Sequence, residues 1–245
     1  MIDWTGKRYW IVGASEGLGR EVAKKIAAAG AHVIVSARSK DRLISLVDEI
    51  GENASYVTVD VSDLKQVEAA AAQVGQIDGV VYLAGVYWPM PADQWDNEKA
   101  DVMGQINFLG AQRVVGAVIG QMVDRDAGHI VLTGSLSGFR GLPGAIGYAA
   151  SKAGLMVMAE SMYADLRKTG VKVQLINPGF IKTRLTDKNE FQMPFIMEAE
   201  DAAQVFFDHM EIGGFKRSFP MLFSWVFRLS QFMPDWMYYR LFGAK

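Results

Sequence analysis

Short apolar runs alternate along most of the chain with longer stretches in which apolar residues recur every three or four positions. The runs fall at 8–12 (RYWIV), 31–36 (AHVIVS), 55–59 (SYVTV), 77–83 (IDGVVYL), 128–133 (GHIVLT) and 171–176 (VKVQLI). Their length and their β-branched content predict strands. Helical spacing predicts helices over 17–29, ended by Gly30, over 40–50 with Leu43, Leu46, Val47 and Ile50 on one face, and over 63–74, 97–124 and 147–168. Strands that are apolar throughout, rather than alternating, are buried on both faces. Strands separated by helices pair in parallel through right-handed crossovers. The expected class is therefore α/β, a single doubly wound parallel sheet of six strands with helices on both faces.

After Asn177 the pattern loosens. Residues 184–197 read as a loop or short helix rich in Phe191, Met193, Phe195, Ile196 and Met197, and a helix is expected over 199–210. The stretch 219–242 is apolar and aromatic but interrupted by Pro220, Arg228, Pro234 and Asp235. A helix over 221–233 would pack on the body as a lid, meet a second subunit, or rest on a membrane surface. A single arginine and no broad basic face favour packing over peripheral membrane contact.

Composition narrows the function classes. Hydrophobic residues at 50% and charged residues at 21% suit an ordinary globular protein. A net charge of −2 leaves no basic footprint, so no nucleic-acid partner is expected. The chain has no cysteine, which excludes disulfides and thiolate chemistry. His32, His129 and His209 are scattered without metal-ligand spacing, so no metal is expected. No run of about 18 apolar residues predicts a membrane span. The polar start, Met1 to Tyr9, is unlike an export signal, and the expected location is cytoplasmic.

The first predicted strand leads into Gly13-Ala14-Ser15-Glu16-Gly17-Leu18-Gly19 and then a helix. Glycines there permit a tight turn and close backbone approach, and the helix start offers free N–H groups to a pyrophosphate. This is the signature of a Rossmann-type dinucleotide site, although its spacing is GxxxGxG rather than GxGxxG. An acid at the end of the second strand would bind the ribose 2′-hydroxyl of NAD. Here Arg38 and Ser39 follow that strand instead and suit a 2′-phosphate. NADP(H) is thus favoured and NAD(H) is the alternative, with Glu16 a counter-argument because an acid repels phosphate. Asp60, after the third strand, would accept a hydrogen bond from the adenine amine or cap the next helix.

Tyr148 and Lys152 are four apart at the start of a predicted helix and so share a face. An ammonium near a phenol favours the phenolate and lowers its pKa, which would let Tyr148 act as a general acid or base. Ser135, 13 residues upstream at a strand end, would hydrogen-bond the same substrate oxygen.

With these features in order, GASEGLG at 13–19, Asp60-Val61, Asn107, Ser135, YAASK at 148–152 and Asn177-Pro178-Gly179 with Thr183, the chain over about 7–183 resembles the short-chain dehydrogenases/reductases. The resemblance implies that Ser135 positions a carbonyl and Tyr148 delivers the proton. It implies that Lys152 holds the nicotinamide ribose and tunes Tyr148, and that Asn107 holds a water in a relay from Lys152. It also implies that Gly13, Ser15, Gly17, Leu18 and Gly19 line the pyrophosphate, and that Pro178, Gly179, Ile181 and Thr183 border the nicotinamide. Ala84 and Gly85 retain the small pair beside the cofactor, with Val61 alongside it. Tyr82 and Leu83 replace asparagines that commonly brace the sheet there, which weakens the expected bracing. The usual closing strand with its Gly-rich tail is missing from the pattern, so the usual tetramer is not expected, and a homodimer or larger homo-oligomer is.

The whole chain, 1–245, is expected to be one domain. Its cofactor-binding half covers about 1–125, its catalytic and substrate part about 126–218, and its apolar extension 219–245. Substrate-facing segments should follow the strands' carboxyl ends, at Tyr87, Trp88, Met90, 184–197 and the tail. Their apolar character predicts a hydrophobic carbonyl or alcohol, lipid-like or steroid-sized. The expected activity is hydride transfer between NADP(H) and such a carbonyl/alcohol pair. A non-catalytic NADP-binding sensor or scaffold is the first alternative. An NAD-dependent sugar-nucleotide epimerase or dehydratase is the second, although 245 residues leave little room for its longer substrate domain.

Overall fold

A computed structural model describes residues 2–188 and 193–243. Seven strands form one sheet: β1 (Arg8–Val12), β2 (His32–Ala37), β3 (Ala54–Thr58), β4 (Gly79–Tyr82), β5 (Gly128–Thr133), β6 (Val171–Pro178) and β7 (Lys216–Phe219). Their order is β3-β2-β1-β4-β5-β6-β7, and every pairing is parallel. The connections run outward from β1 in one direction and then, from β4, in the other. That reversal opens a crevice at the strands' carboxyl ends.

The helices are α1 (Gly17–Ala28), α2 (Lys40–Ile50), α3 (Leu64–Val74), α4 (Asn97–Gly104), α5 (Gly110–Asp124), α6 (Ile146–Leu166), α7 (Ala199–Ile212), α8 (Met221–Ser230) and α9 (Asp235–Phe242). They cover both faces. Alternate strand residues feed two cores, as the two-residue period of a pleated strand requires. Trp10, Val12, Val80 and Leu132 pack with α3, α5 and α6, whereas Ile11, Val33, Val81 and Val131 pack with α1, α2 and α7. Asp63 caps α3 by accepting from the backbone N–H groups of Lys65 and Gln66, and Asp96 caps α4 through Lys99.

Three elements depart from the pattern reading. β7 was not expected. It has four residues, KRSF, and its polar start carries no apolar run, yet it pairs Leu175 with Lys216 and Pro178 with Phe219 on the sheet edge. The helix expected over 97–124 is instead α4 and α5 joined by a π-turn at Gln105–Leu109. The Tyr82 hydroxyl donates to the Ile106 carbonyl oxygen inside that turn, at 2.6 Å. Tyr82 therefore replaces the missing asparagine bracing with a buried wedge. Though apolar enough in composition for a membrane span, 97–124 turns Met103, Ile106, Val114, Val118 and Met122 into the core.

The tail is two helices rather than one over 221–233, because Pro234 starts the second. Arg140, from the segment between β5 and α6, latches both. It donates to the carbonyl oxygens of Ser230 and Met233, pairs with Asp235 at 2.5 Å, and stacks 4.0 Å above the Tyr238 ring. Tyr238 in turn donates to the Gly141 carbonyl oxygen. The segment 184–197 holds a short 3-10 turn, Thr186–Lys188, and an isolated bridge between Ile181 and Met197. Phe191 lies outside the described residues.

Candidate active site

The crevice at the β1/β4 reversal is a cleft of about 580 Å³. Its floor is the glycine turn. Gly13 and Gly17 have φ of +94° and +56°, and a Cβ on Gly13 would lie 2.3 Å from the Ala84 nitrogen, so only glycine lets β1 and β4 meet there. Helix α1 begins at Gly17 with no side-chain cap, which leaves its first N–H groups directed at the cleft. Ser15, Leu18 and Gly19 line the same wall. Further along lie Asp60, Val61, Ala84 and Gly85, and then Tyr148, Lys152, Pro178, Gly179, Ile181 and Thr183. Each residue expected to hold the dinucleotide thus borders one elongated cavity. The free helix start and the Gly13 cradle suit a pyrophosphate.

At the adenosine end Arg38 and Ser39 line the mouth, and Arg38 is exposed. Glu16 does not stand alone there. Its carboxylate pairs with Arg42 at 2.5 Å and with Arg184 at 3.0 Å. One acid bridged by two guanidiniums, with a third beside it, leaves a net positive mouth. Arg42 and Arg184 were missed in the sequence. Arg42 follows Arg38 at helical spacing, a signal that was present, whereas Arg184 arrives from a distant loop with none. Asp60 is an acceptor for the Ser62 N–H and hydroxyl through one carboxylate oxygen. The cap of the next helix is Asp63, so Asp60 is not its cap, and Asp60 lines the cleft.

Tyr148 and Lys152 stand on one face of α6, as their spacing requires; Lys152 is buried and Tyr148 is half-buried. The Lys152 ammonium donates to the Thr133 carbonyl oxygen at 2.8 Å and lies 5.9 Å from the centre of the Tyr148 ring. The expected lowering of the Tyr148 pKa by that ammonium is not what the geometry produces. Burial pushes the phenol up to about 12, and a hydrogen bond from Ser135 only partly offsets it. Burial also brings the Lys152 ammonium down to about 8. Desolvation outweighs the pair attraction because the lysine is engaged with a carbonyl rather than with the phenol.

Ser135 caps a 3-10 turn, Leu136–Gly138, by accepting from the Ser137 N–H, and its hydroxyl lies 2.9 Å from the Ser137 hydroxyl. Asn107, in the π-turn, is fully buried. It accepts from the Val86 N–H at 2.8 Å and donates to the Val86 carbonyl and the Ser151 hydroxyl at 2.9 and 3.0 Å. Its side chain thus ties the loop after β4 to α6 beside Lys152, outside the lining of the cleft.

A second pocket, about 160 Å³, opens from the first at Tyr148 and Gly179. Ser135, Tyr87, Leu142, Phe180, Phe223 and Phe227 line it. Tyr87 meets Tyr148 edge-on at 5.1 Å. Of the expected substrate-facing residues, Tyr87 is here, Trp88 borders the larger cleft, and Leu185 and Thr186 represent the 184–197 segment. Met90 is not at the site. It is 2% exposed and bridges to Ala145 beneath α6, because the loop after β4 folds back over it.

A glycine-floored cleft meeting an apolar pocket at a Tyr–Lys–Ser group defines a nucleotide-binding oxidoreductase of the doubly wound class. The short chain dehydrogenase family model matches residues 7–193. An uncharacterized oxidoreductase of Myxococcus xanthus is 38% identical over 242 residues, 96% of each chain. A 3-oxoacyl-acyl-carrier-protein reductase of Rickettsia conorii is 32% identical over 81% of this chain and 83% of its own. A crystal structure of a short chain dehydrogenase/reductase from Burkholderia phymatum in complex with NAD superposes with a TM-score of 0.86 at 25% identity, covering 94% of each chain. The chain belongs to the short-chain dehydrogenase/reductase family, and it is an oxidoreductase acting on alcohol and carbonyl groups.

Proposed function

We propose that the protein is an NADP(H)-dependent reductase or dehydrogenase of an apolar carbonyl/alcohol pair. The observation that carries this reading is the position of Tyr148. Among the described residues it is the one titratable side chain that lines both the nucleotide cleft and the apolar pocket, so a proton donor and the cofactor meet the oxygen and the carbon of one carbonyl there. When bound, the nicotinamide supplies a hydride to the carbonyl carbon. Tyr148 hands its hydroxyl proton to the carbonyl oxygen, and its raised pKa keeps it protonated at neutral pH. Ser135 donates a hydrogen bond to that oxygen, with Ser137 orienting its hydroxyl. Lys152 holds the ribose hydroxyls from the cleft floor. Asn107 is a positioning residue that keeps Val86 and Ser151 in place around Lys152.

NADP(H) is favoured over NAD(H) because Arg38, Arg42 and Arg184 line the mouth while Glu16 between them is already paired. The side pocket is smaller than the roughly 300–1,000 Å³ that buries a drug-sized ligand. This favours an acyl-type chain running past Phe223 over a rigid steroid-sized body held whole. The 32% identity to a 3-oxoacyl-acyl-carrier-protein reductase points the same way.

The test is reduction of a series of medium-chain 3-oxoacyl thioesters and simple ketones with NADPH. Tyr148→Phe should lower kcat by about 10²–10⁴-fold with little change in NADPH affinity. Full activity in that variant would remove Tyr148 from the chemistry.

A further inference from the structure

Helix α8 sets Phe223 and Phe227 in the pocket wall and carries a second apolar stripe on its outer side. Towards the body it turns Ser224 and Ser230, each 3% exposed, whose hydroxyls donate back to the Met221 and Phe227 carbonyls. Outward it shows Leu222, 74% exposed, with Trp225, Val226 and Leu229 at helical spacing. The following turn adds Phe232 at 86%, and α9 continues the surface with Trp236 at 70%, Tyr239 and Leu241. Single apolar side chains are ordinary on a soluble surface. A stripe of them along two helices latched together by Arg140 marks an interaction face.

Charge and residue type select the occupant. Residues 213–243 carry Lys216, Arg217, Arg228 and Arg240 against the single acid Asp235, in a chain whose net charge is −2. Asp235 is paired with Arg140 and Lys216 with Glu160, and Arg228 is half-buried against the Ser218 hydroxyl, which leaves Arg217 and Arg240 as the exposed cations. A second copy docking through the same face would bring two net-positive surfaces together. An anionic lipid surface complements both the apolar stripe and the cations. Tryptophan and tyrosine rings favour the boundary between headgroups and acyl chains. An aromatic file also leads inward from this face: Phe195, 59% exposed, lies 5.6 Å from Phe223, which is 5.1 Å from Phe227 in the pocket wall.

We propose that α8 and α9 dock the protein peripherally on an anionic lipid surface, with Leu222, Trp225, Val226, Leu229, Phe232 and Trp236 set among the acyl chains. The docking does not depend on the proposed substrate.

Flotation of the purified full chain with vesicles tests it. One set is phosphatidylcholine, the other phosphatidylcholine with a minority of phosphatidylglycerol. The chain is expected to float with the anionic vesicles, several-fold less with the neutral ones, and less as salt is added. Leu222→Glu combined with Leu229→Glu should reduce binding by more than about tenfold while NADPH titration and far-UV dichroism stay as in the parent chain. Arg240→Gln should weaken the anionic-vesicle interaction about fivefold. Absence of flotation on both vesicles, or equal flotation on both, overturns the proposal. So does a parent chain that never floats but is a dimer by light scattering and becomes a monomer in the double variant, since a second copy then covers the face.

Discussion

His129 is held from both sides deep in the sheet. Gln174 accepts from its Nε2 at 2.8 Å, so the ring carries its proton there and Nδ1 accepts from the Tyr9 hydroxyl at 3.0 Å. Burial brings its pKa down from 6.5 to about 4. The unfolded chain therefore binds the extra proton first as pH falls. Stability is complete above pH 6.5 and declines through the window down to about 4, by about 3 kcal/mol from this group. Urea midpoints across that window should fall for the parent chain, and the fall should shrink in His129→Gln. At the cofactor mouth, Arg38→Asp should weaken NADPH by at least about tenfold and leave NADH unchanged or better. Fluorescence titration of both nucleotides reads this directly, and an unchanged ratio would move the phosphate contact to Arg42 and Arg184.

The break between α4 and α5 shows how one element is shaped for the site. The π-turn swings Asn107 under the loop after β4, and Tyr82 supports it from the sheet. Gly110 makes room for that support, since a Cβ there would lie 2.4 Å from the Tyr82 hydroxyl and 2.8 Å from a Val61 methyl. Alanine would normally strengthen a helix at such a position by about 1 kcal/mol. Here Gly110→Ala should instead destabilise by about 1–3 kcal/mol through overpacking, because both neighbours are buried and fixed. Thermal unfolding measures it, and a raised Tm would show that Tyr82 can move aside. At the other end of the site, Arg140 plays the comparable part for α8, joining the pocket's Leu142–Pro143 wall to its Phe223–Phe227 wall.

Across the whole molecule the two binding regions draw on different parts of the chain. Among the described residues none after Thr186 lines the nucleotide cleft, whereas α8 supplies two aromatic walls of the side pocket. Removing residues 221–245 should therefore leave NADPH affinity within about threefold of the parent, well under the loss of one hydrogen bond, since none of the removed residues lines the cleft. Turnover of an apolar carbonyl should fall by an order of magnitude or more, through KM above all, as the pocket opens to water. Parallel nucleotide titration and steady-state kinetics separate the two effects. Loss of both together would show that the tail holds the sheet edge at β7 rather than the substrate.

The sequence by itself determined six of the seven strands, the class of the sheet, the glycine turn and the Tyr148–Lys152 pair. All of these are local: apolar runs, turn residues and helical spacing act within a few positions of one another. Ser135 and the cofactor-cleft residues were legible through a resemblance spread along the chain. Tertiary structure decided what depends on distant partners. β7 is a strand only because β6 offers it an edge, and its KRSF sequence has no run of its own. Met90 left the expected substrate wall because a returning loop buries it. The reading of Glu16 as hostile to phosphate changed once Arg42 and Arg184 met it from 26 and 168 residues away. The direction of the Tyr148 shift was set by desolvation, which no spacing encodes. The tail's sequence shows that it is apolar and aromatic, but which of its faces meets the body depended on Arg140 and on the pocket it closes.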